Sequence, residues 1–407
     1  MDNFFLPIPE YLSPILSLLE QSGFEAYLVG GCVRDSVMGR IPNDYDLTTS
    51  ATPEEMCRVF SDFRLIETGL KHGTVTVCHD GEQIEITTYR IDGAYADNRH
   101  PESVSFTRNI TEDLSRRDFT VNAMAYSPTR GLCDPFGGIA DIERRRIACV
   151  GEAEKRFRED GLRIMRAVRF ASCLDFTIDA ETADAARSLS HLLDGISRER
   201  VHVEFSKLIC GVGAGRITSD FADVLHAALP PVSEYTFKGC APLLASLPAD
   251  PVVRLAFLAA NEDADESASC AGKATASLKA STADSRRCAI LAKECTVPYP
   301  ETESAVKRLM SRLSHENILA YAAMHSTATG TDSADFLRLY DAVCESDPCV
   351  SIKQLAVGGR DVMTLAGARG TAVGEILQSL LDRVMDGELK NDRETLCELL
   401  SSMRDDE

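Results

Sequence analysis

The chain has 407 residues, 44% hydrophobic and 26% charged, which suits two to three globular domains with buried cores. Its 43 basic residues face 63 acidic ones, and the net charge of −20 argues against a protein that coats nucleic acid through many phosphate contacts. Fourteen cysteines show no CxxC or zinc-type spacing, the first residues lack the positive charge of a secretory leader, and no apolar run reaches about 18 residues. Reduced thiols and a cytoplasmic location are therefore expected, with no membrane span and no protein partner.

Apolar Tyr11, Ile15, Leu18 and Leu19 predict a helix over residues 10–21, ended by Gly23. Residues 26–29 read as a strand running into Gly30-Gly31, residues 33–38 as a helix and 44–47 as a second strand. Residues 74–78 and 83–88 alternate in period two around Asp80-Gly81, a hairpin signal. Residues 92–103 are polar, with Gly93 and Pro101, and read as a mobile loop. From about Ala153 the pattern turns helical and convincing strands are absent. Residues 261–284 are rich in Ala, Ser, Asp and Glu and read as a surface insertion or linker. Val373, Ile376, Leu377, Leu380, Leu381 and Val384 line one face of an amphipathic helix. An α/β head followed by an all-helical body is expected.

The densest chemical signal is Leu28-Val-Gly-Gly-Cys-Val-Arg-Asp35 followed by Gly39-Arg-Ile-Pro-Asn-Asp-Tyr-Asp46. On a strand, Asp44 and Asp46 would leave the same face, and two converging carboxylates suit a hard divalent cation. Gly30 and Gly31 let a backbone approach a ligand, and the helix after them offers amides to a phosphate, with Arg34 in its first turn. A lone DxD more often solvates a strand end. Strand, double glycine, helix start and DxD together describe a site for a metal-bound triphosphate.

This arrangement resembles the head signature of the CCA-adding tRNA nucleotidyltransferase and bacterial poly(A) polymerase superfamily. Three later segments resemble further motifs of that superfamily: residues 112–125 (EDLSRRDFTVNAMA), 134–138 (DPFGG) and 159–171 (EDGLRIMRAVRFA). The segment Ile196-Ser-Arg-Glu-Arg200 and the stretch from Gly358-Gly-Arg-Asp361 to Asn391-Asp-Arg-Glu394 look like the bacterial class II members. The resemblance spans nearly the whole chain and is weakest from Gly211 to Ser311.

The resemblance implies an α+β fold: a nucleotidyltransferase head with a mixed sheet over 1–145, then an all-α neck (146–205), body (206–305) and tail (306–407). It implies template-independent addition of CCA to the tRNA 3′ end from CTP and ATP, with Mg²⁺ held by Asp44 and Asp46. Gly31, Arg34 and Arg117 would hold the triphosphate and sugar. Asp160 and Arg163, i and i+3 on a helix, would read the base. A carboxylate accepts from the exocyclic amine that cytosine and adenine both carry, whereas uracil and guanine present an oxygen there. Arg166 and Arg169 would order that pair or touch the triphosphate. The nearest alternatives are CC-adding, A-adding and poly(A)-adding members, then a tRNA-binding factor without chemistry.

Between Asp141 and Arg169 nine basic residues face six acidic ones, which points to tRNA contacts there. Glu85 is either a third active-site carboxylate or a partner for Arg90. Gly211-Val-Gly-Ala-Gly-Arg216 is not a dinucleotide fingerprint, since its third glycine comes one residue early. His202-Val-Glu204 has no PCxxC partner for a deaminase zinc site, and Gly358-Gly-Arg-Asp361 has no carboxylate pair after it. The one His-Asp dipeptide, His79-Asp80, falls in the predicted hairpin turn, and no phosphodiesterase activity is expected.

Overall fold

A computed structural model describes residues 6–93 and 103–405. The fold is α+β, and the chain packs as two compact units. One runs to Pro242 and takes in Ser277–Ala280; the other holds Leu243–Ala276 and everything from Ser281.

In the first unit, helix α1 (Ser13–Gln21) ends before Gly23, whose φ of +86° favours glycine. It leads into β1 (Ala26–Val29), α2 (Gly31–Val37), β2 (Asp46–Thr49), α3 (Pro53–Val59) and β3 (Arg64–Ile66). The hairpin β4 (Thr74–His79) and β5 (Glu82–Thr88) turns on Asp80 and Gly81 at φ of +51° and +84°, the paired left-handed conformation that a two-residue hairpin turn requires. After β6 (Arg90–Asp92) and β7 (Val104–Phe106) come α4 (Ile110–Ser115), β8 (Ala125–Ser127), β9 (Gly131–Cys133) and α5 (Gly138–Glu143).

Seven of these strands form one sheet in the order β3-β4-β5-β2-β1-β8-β9. Its pairs are antiparallel except β2 with β5, so the sheet is mixed. Leu28, Leu47, Val75, Val77, Ile84 and Ile86 are buried in it. β6 and β7 form a separate antiparallel arm. The arm brings together the two ends of the polar segment read as a mobile loop; residues 94–102 of that segment lie outside the described residues.

The helical part of this unit begins with β10 (Arg146–Ile147), α6 (Ala153–Glu159) and α7 (Leu162–Leu174), then β11 (Thr177–Ile178), α8 (Ala180–Ser188) and α9 (Arg198–Ile209). β10 and β11 make a short parallel ladder, so one strand does follow Ala153, against the expectation. Leu162, Met165 and Val168 are the buried side of α7. A Cβ on Gly211 would stand 2.2 Å from the Ser172 hydroxyl and 2.7 Å from its backbone. Gly211 and Gly213 thus serve a close approach to the end of α7, and Gly215 one to the Ala241 carbonyl.

The second unit is helical. Residues 261–284, expected as an insertion or linker, instead contain the helix Ala264–Ser277 and the start of Thr282–Glu294. Alanine is the best helix former, and Ala271 and Ala274 are fully buried, so small side chains make a packing face without large apolar residues. The predicted amphipathic helix is Thr371–Met385; its Leu377, Leu380, Leu381 and Met385 pack with Val362, Leu396 and Leu400.

Candidate active site

Gly30 joins β1 to α2 at φ +80°, ψ −129°, a conformation closed to other residues, and a Cβ there would stand 3.1 Å from Nη1 of Arg117. Gly31 opens α2. Arg34, only 8% exposed, donates from Nη1 to Oδ1 of Asn122 (2.7 Å) and from Nε to Oδ1 of Asp35 (2.9 Å). Its guanidinium lies 5.3 Å from the centre of the Phe170 ring. The glycine turn, Arg34 and Arg117 are therefore neighbours in one braced site.

Asp46 is the first residue of β2, and Asp44 precedes the strand. The expectation that both leave one strand face is corrected: Pro42-Asn43 delay the strand, and Asp44 accepts from the amide of Tyr45 at 2.9 Å. The two carboxylates still interact. Asp46 has its carboxyl raised above the ordinary aspartate range, by desolvation first, then by the charge of Asp44, with Glu85 adding to the rise and Arg117 opposing it. β2 runs parallel to β5 with Leu47 opposite Ile86, which sets Glu85 beside Asp46 on the same sheet face. Arg90 meanwhile donates to the His72 carbonyl and pairs with Asp92 at 3.2 Å. A desolvated carboxyl with further carboxylates beside it fits a hard divalent cation. Among the described residues no three His, Cys, Asp or Glu side chains converge as a metal cage. Mg²⁺ commonly binds through one or two carboxylates plus substrate phosphates, and this donor set fits that habit.

Arg117 faces this carboxylate pair. Its Nη2 is 3.6 Å from Asp113, beyond hydrogen-bond reach, and its buried Nε has no hydrogen-bond partner. Burial lowers its pKa, partly offset by Asp113 and Asp46. It remains a cation, since arginine does not deprotonate in proteins, and its charge is poorly satisfied. Arg116 pairs with Asp113 at 2.9 Å.

Arg117 also lines a cavity of about 280 Å³ with Arg116, Asp118, Asp160, Arg163, Arg166 and Arg200. Here the structure changes the sequence picture. Asp160 and Arg163 do not share a helix: the chain breaks at Asp160-Gly161 between α6 and α7, because Gly161 begins the second helix and the Oδ1 of Asp160 caps it through the Leu162 amide (3.0 Å). Arg163 donates to Glu159 (2.5 Å) and to the carbonyls of Arg156 and Arg116 (both 3.1 Å). Arg166 is bound to Asp118 at 2.7 Å, and Arg169 to Glu204 at 2.6 Å. Burial alone would push the Asp118 carboxyl up, but Arg166, Arg163 and the Phe119 amide outweigh it and hold it below the ordinary range.

Asp118, Asn122, Glu159, Arg200 and Glu204 were not singled out from sequence. The first two lie inside the quoted Arg-Arg-Asp-Phe-Thr-Val-Asn run, so their signal was present. Glu204 lies 35 residues from its partner and Arg200 lies 40 from its own, which spacing alone does not reveal. The basic excess between Asp141 and Arg169 is largely internal. Arg146, Arg156, Arg163, Arg166 and Arg169 each pair with a carboxylate; Arg144, Arg145, Lys155 and Arg158 are exposed, Arg145 paired with Asp175 and Arg158 with Glu154. No helix among the described residues is long and apolar enough to cross a membrane.

Profiles of three families match the chain: "Poly A polymerase head domain" over residues 26–148, "RNA and SrmB- binding site of polymerase A" over 175–218, and "tRNA nucleotidyltransferase domain 2" over 273–400. The CCA-adding enzyme of Geobacillus stearothermophilus is 38% identical over 399 residues, 96% of each chain. The crystal structure of the Bacillus stearothermophilus CCA-adding enzyme in complex with CTP superposes with a TM-score of 0.82 at 33% identity, covering 98% of this chain and 99% of that one. A Thermotoga maritima CCA-adding enzyme complexed with tRNA shares the fold, with a TM-score of 0.66 at 22% identity, covering 98% of this chain and 97% of that one.

Proposed function

The chain belongs to the CCA-adding enzyme family of tRNA nucleotidyltransferases, and from that premise we propose that it adds CCA to the tRNA 3′ end from CTP and ATP in the cytoplasm. The observation that carries the reading is the position of Arg117, beside Gly30 and Asp46 on one side and on the wall of the Asp160–Arg163 cavity on the other. A triphosphate held by that cation would have its reacting phosphorus near the carboxylates and its base in the cavity.

In each step the terminal 3′ oxygen of the tRNA loses its proton and bonds to the α-phosphorus, while the bond to the β-phosphate oxygen breaks and pyrophosphate leaves. Asp44 and Asp46 would hold Mg²⁺, which would supply positive charge to the attacking and leaving oxygens. Arg117 and the amides at the start of α2 take up phosphate charge. Arg34, fixed by Asn122 and Asp35, supports that surface. Catalysis by these groups is alignment and charge neutralisation, as phosphoryl chemistry requires. Asp160 and Arg163 read the base edge; Arg166 and Arg169, each tied to a carboxylate, order the wall of the cavity. The head, neck, body and tail division at 145, 205 and 305 belongs to this reading, with the later regions holding the tRNA by duplex shape.

The test is extension of three tRNA transcripts ending before CCA, after C and after CC. Each is incubated with Mg²⁺ and single nucleotides, then with CTP plus ATP. Addition of C, C and A followed by a stop is the expected result. Arrest after CC, addition of A alone or an A ladder would assign the chain to another branch of the superfamily, and no extension would remove the catalytic reading.

A further inference from the structure

The segment Ile196-Ser-Arg-Glu-Arg200 has no part in the mechanism above, yet it places a side chain on the base cavity. Helix α9 is fixed by Val201, Phe205 and Leu208, each at most 1% exposed. Arg200 and Glu204 lie one turn apart on it and face α6 and α7 with opposite charges. Glu204 takes Arg169 at 2.6 Å and lies 3.8 Å from Arg166. Arg200 reaches Asp160 with its fork, Nη2 to Oδ2 at 2.7 Å and Nη1 to Oδ1 at 3.4 Å. Oδ1 also accepts the Leu162 amide at 3.0 Å, so both oxygens of Asp160 are held and the carboxylate plane cannot turn. Arg200 lines the cavity; Glu204 does not line it.

We propose that Arg200 is a specificity-determining positioning residue, which fixes the direction in which Asp160 presents its carboxylate to the incoming base. The inference rests on the base-reading role given to Asp160 above. A carboxylate aimed at the base edge accepts from an exocyclic amine and repels a carbonyl oxygen at the same place. Released from the fork, it can swing aside, and the repulsion that excludes uracil and guanine goes with it. The remaining guanidinium of Arg163 donates to carbonyl oxygens as readily as to ring nitrogens. Loss of Arg200 therefore relaxes selectivity, whereas a helix-docking ion pair alone would affect folding and leave the choice of base unchanged.

The test is single-nucleotide kinetics on tRNA ending before CCA and after CC, with CTP against UTP and ATP against GTP. Arg200→Gln should raise the UTP-to-CTP incorporation ratio about tenfold or more and raise KM for CTP, with KM for tRNA unchanged, since sites built on a placed hydrogen bond discriminate by large factors. Arg200→Lys keeps the charge but not the fork, and should show a smaller rise in the ratio; it is also the readout if the glutamine variant fails to fold. In an Asp160→Ala background, adding Arg200→Gln should change the ratio less than about twofold, because residues acting through one another are not additive. If Asp160→Ala collapses selectivity while both Arg200 variants keep the parent ratio, the proposal is overturned and the base reading stands. If Asp160→Ala itself leaves the ratio intact, the base reading falls, and the proposal with it.

Discussion

The two sides of Arg117 are built on opposite electrostatic plans. Toward β2, Asp44, Asp46 and Glu85 are like charges, and the carboxyl of Asp46 is raised by desolvation first and then by the charges of Asp44 and Glu85. Toward α7, the carboxylates Asp118, Glu159, Asp160 and Glu204 each hold at least one guanidinium at 2.5 to 2.7 Å. In the first cluster Arg117 offsets the rise only in part, and on the proposed reading a cation and a triphosphate complete it. The second is neutralised before any ligand arrives. On the proposed reading, the site for phosphate chemistry is left unbalanced, while the site for shape and hydrogen-bond pattern is locked in advance.

The comparison breaks most visibly through the unbalanced side. Asp46→Ala should lower nucleotide incorporation by about a thousandfold or more, with tRNA affinity in a filter-binding assay intact. Incorporation at the parent rate would remove the metal assignment. On the balanced side, Asp118→Ala leaves Arg166 without its main partner, and denaturant unfolding should show a loss on the order of 3 kcal/mol. A smaller effect of opposite sign sharpens the contrast. Asp46→Asn removes a charge the fold resists, so without divalent metal it should raise the thermal midpoint while incorporation is lost.

Acid should separate the two sides as well. The raised group, Asp46, is protonated first, so acidification from neutrality should increase the Mg²⁺ concentration needed for half-maximal activity before the fold weakens. Asp118 is lowered in the folded state, so its stabilising share persists until the pH falls through and below the ordinary aspartate range. Parallel loss of metal response and of near-ultraviolet circular dichroism would contradict this order.

What the sequence made legible is what short spacing controls. The strand 26–29, the Gly30 turn, the hairpin at Asp80-Gly81 and the apolar face from Val373 all depend on neighbours within a few residues. Asp44 precedes β2 because Pro42-Asn43 delay the strand, which the DxD spacing does not reveal. Asp160 precedes the helix that carries Arg163, because Gly161 begins that helix, and i,i+3 spacing alone does not reveal the break. The alanine-rich stretch from 261 was discounted for want of large apolar residues, yet Ala271 and Ala274 are wholly buried. Of the candidate residues, Gly31, Arg34, Asp44, Asp46 and Arg117 gather around the glycine turn, and Asp160, Arg163 and Arg166 line the adjoining cavity. Arg169 lies behind them on Glu204. The pairings that orient the cavity, Arg200 with Asp160 and Glu204 with Arg169, join distant segments and obey no local rule.

β1 pairs on one side with β2 and on the other with β8, Val29 standing opposite Ala125, and the amide of Gly30 is held by the carbonyl of Met124 at 3.2 Å. The glycine turn is thus completed by a strand nearly a hundred residues later. Non-local pairings of this kind form slowly, because loop-closure entropy is lost before the contacts repay it, whereas helices and their near neighbours close early. During refolding from denaturant, helical circular dichroism should return ahead of nucleotide incorporation, and the interval between them is the time β8 takes to find β1.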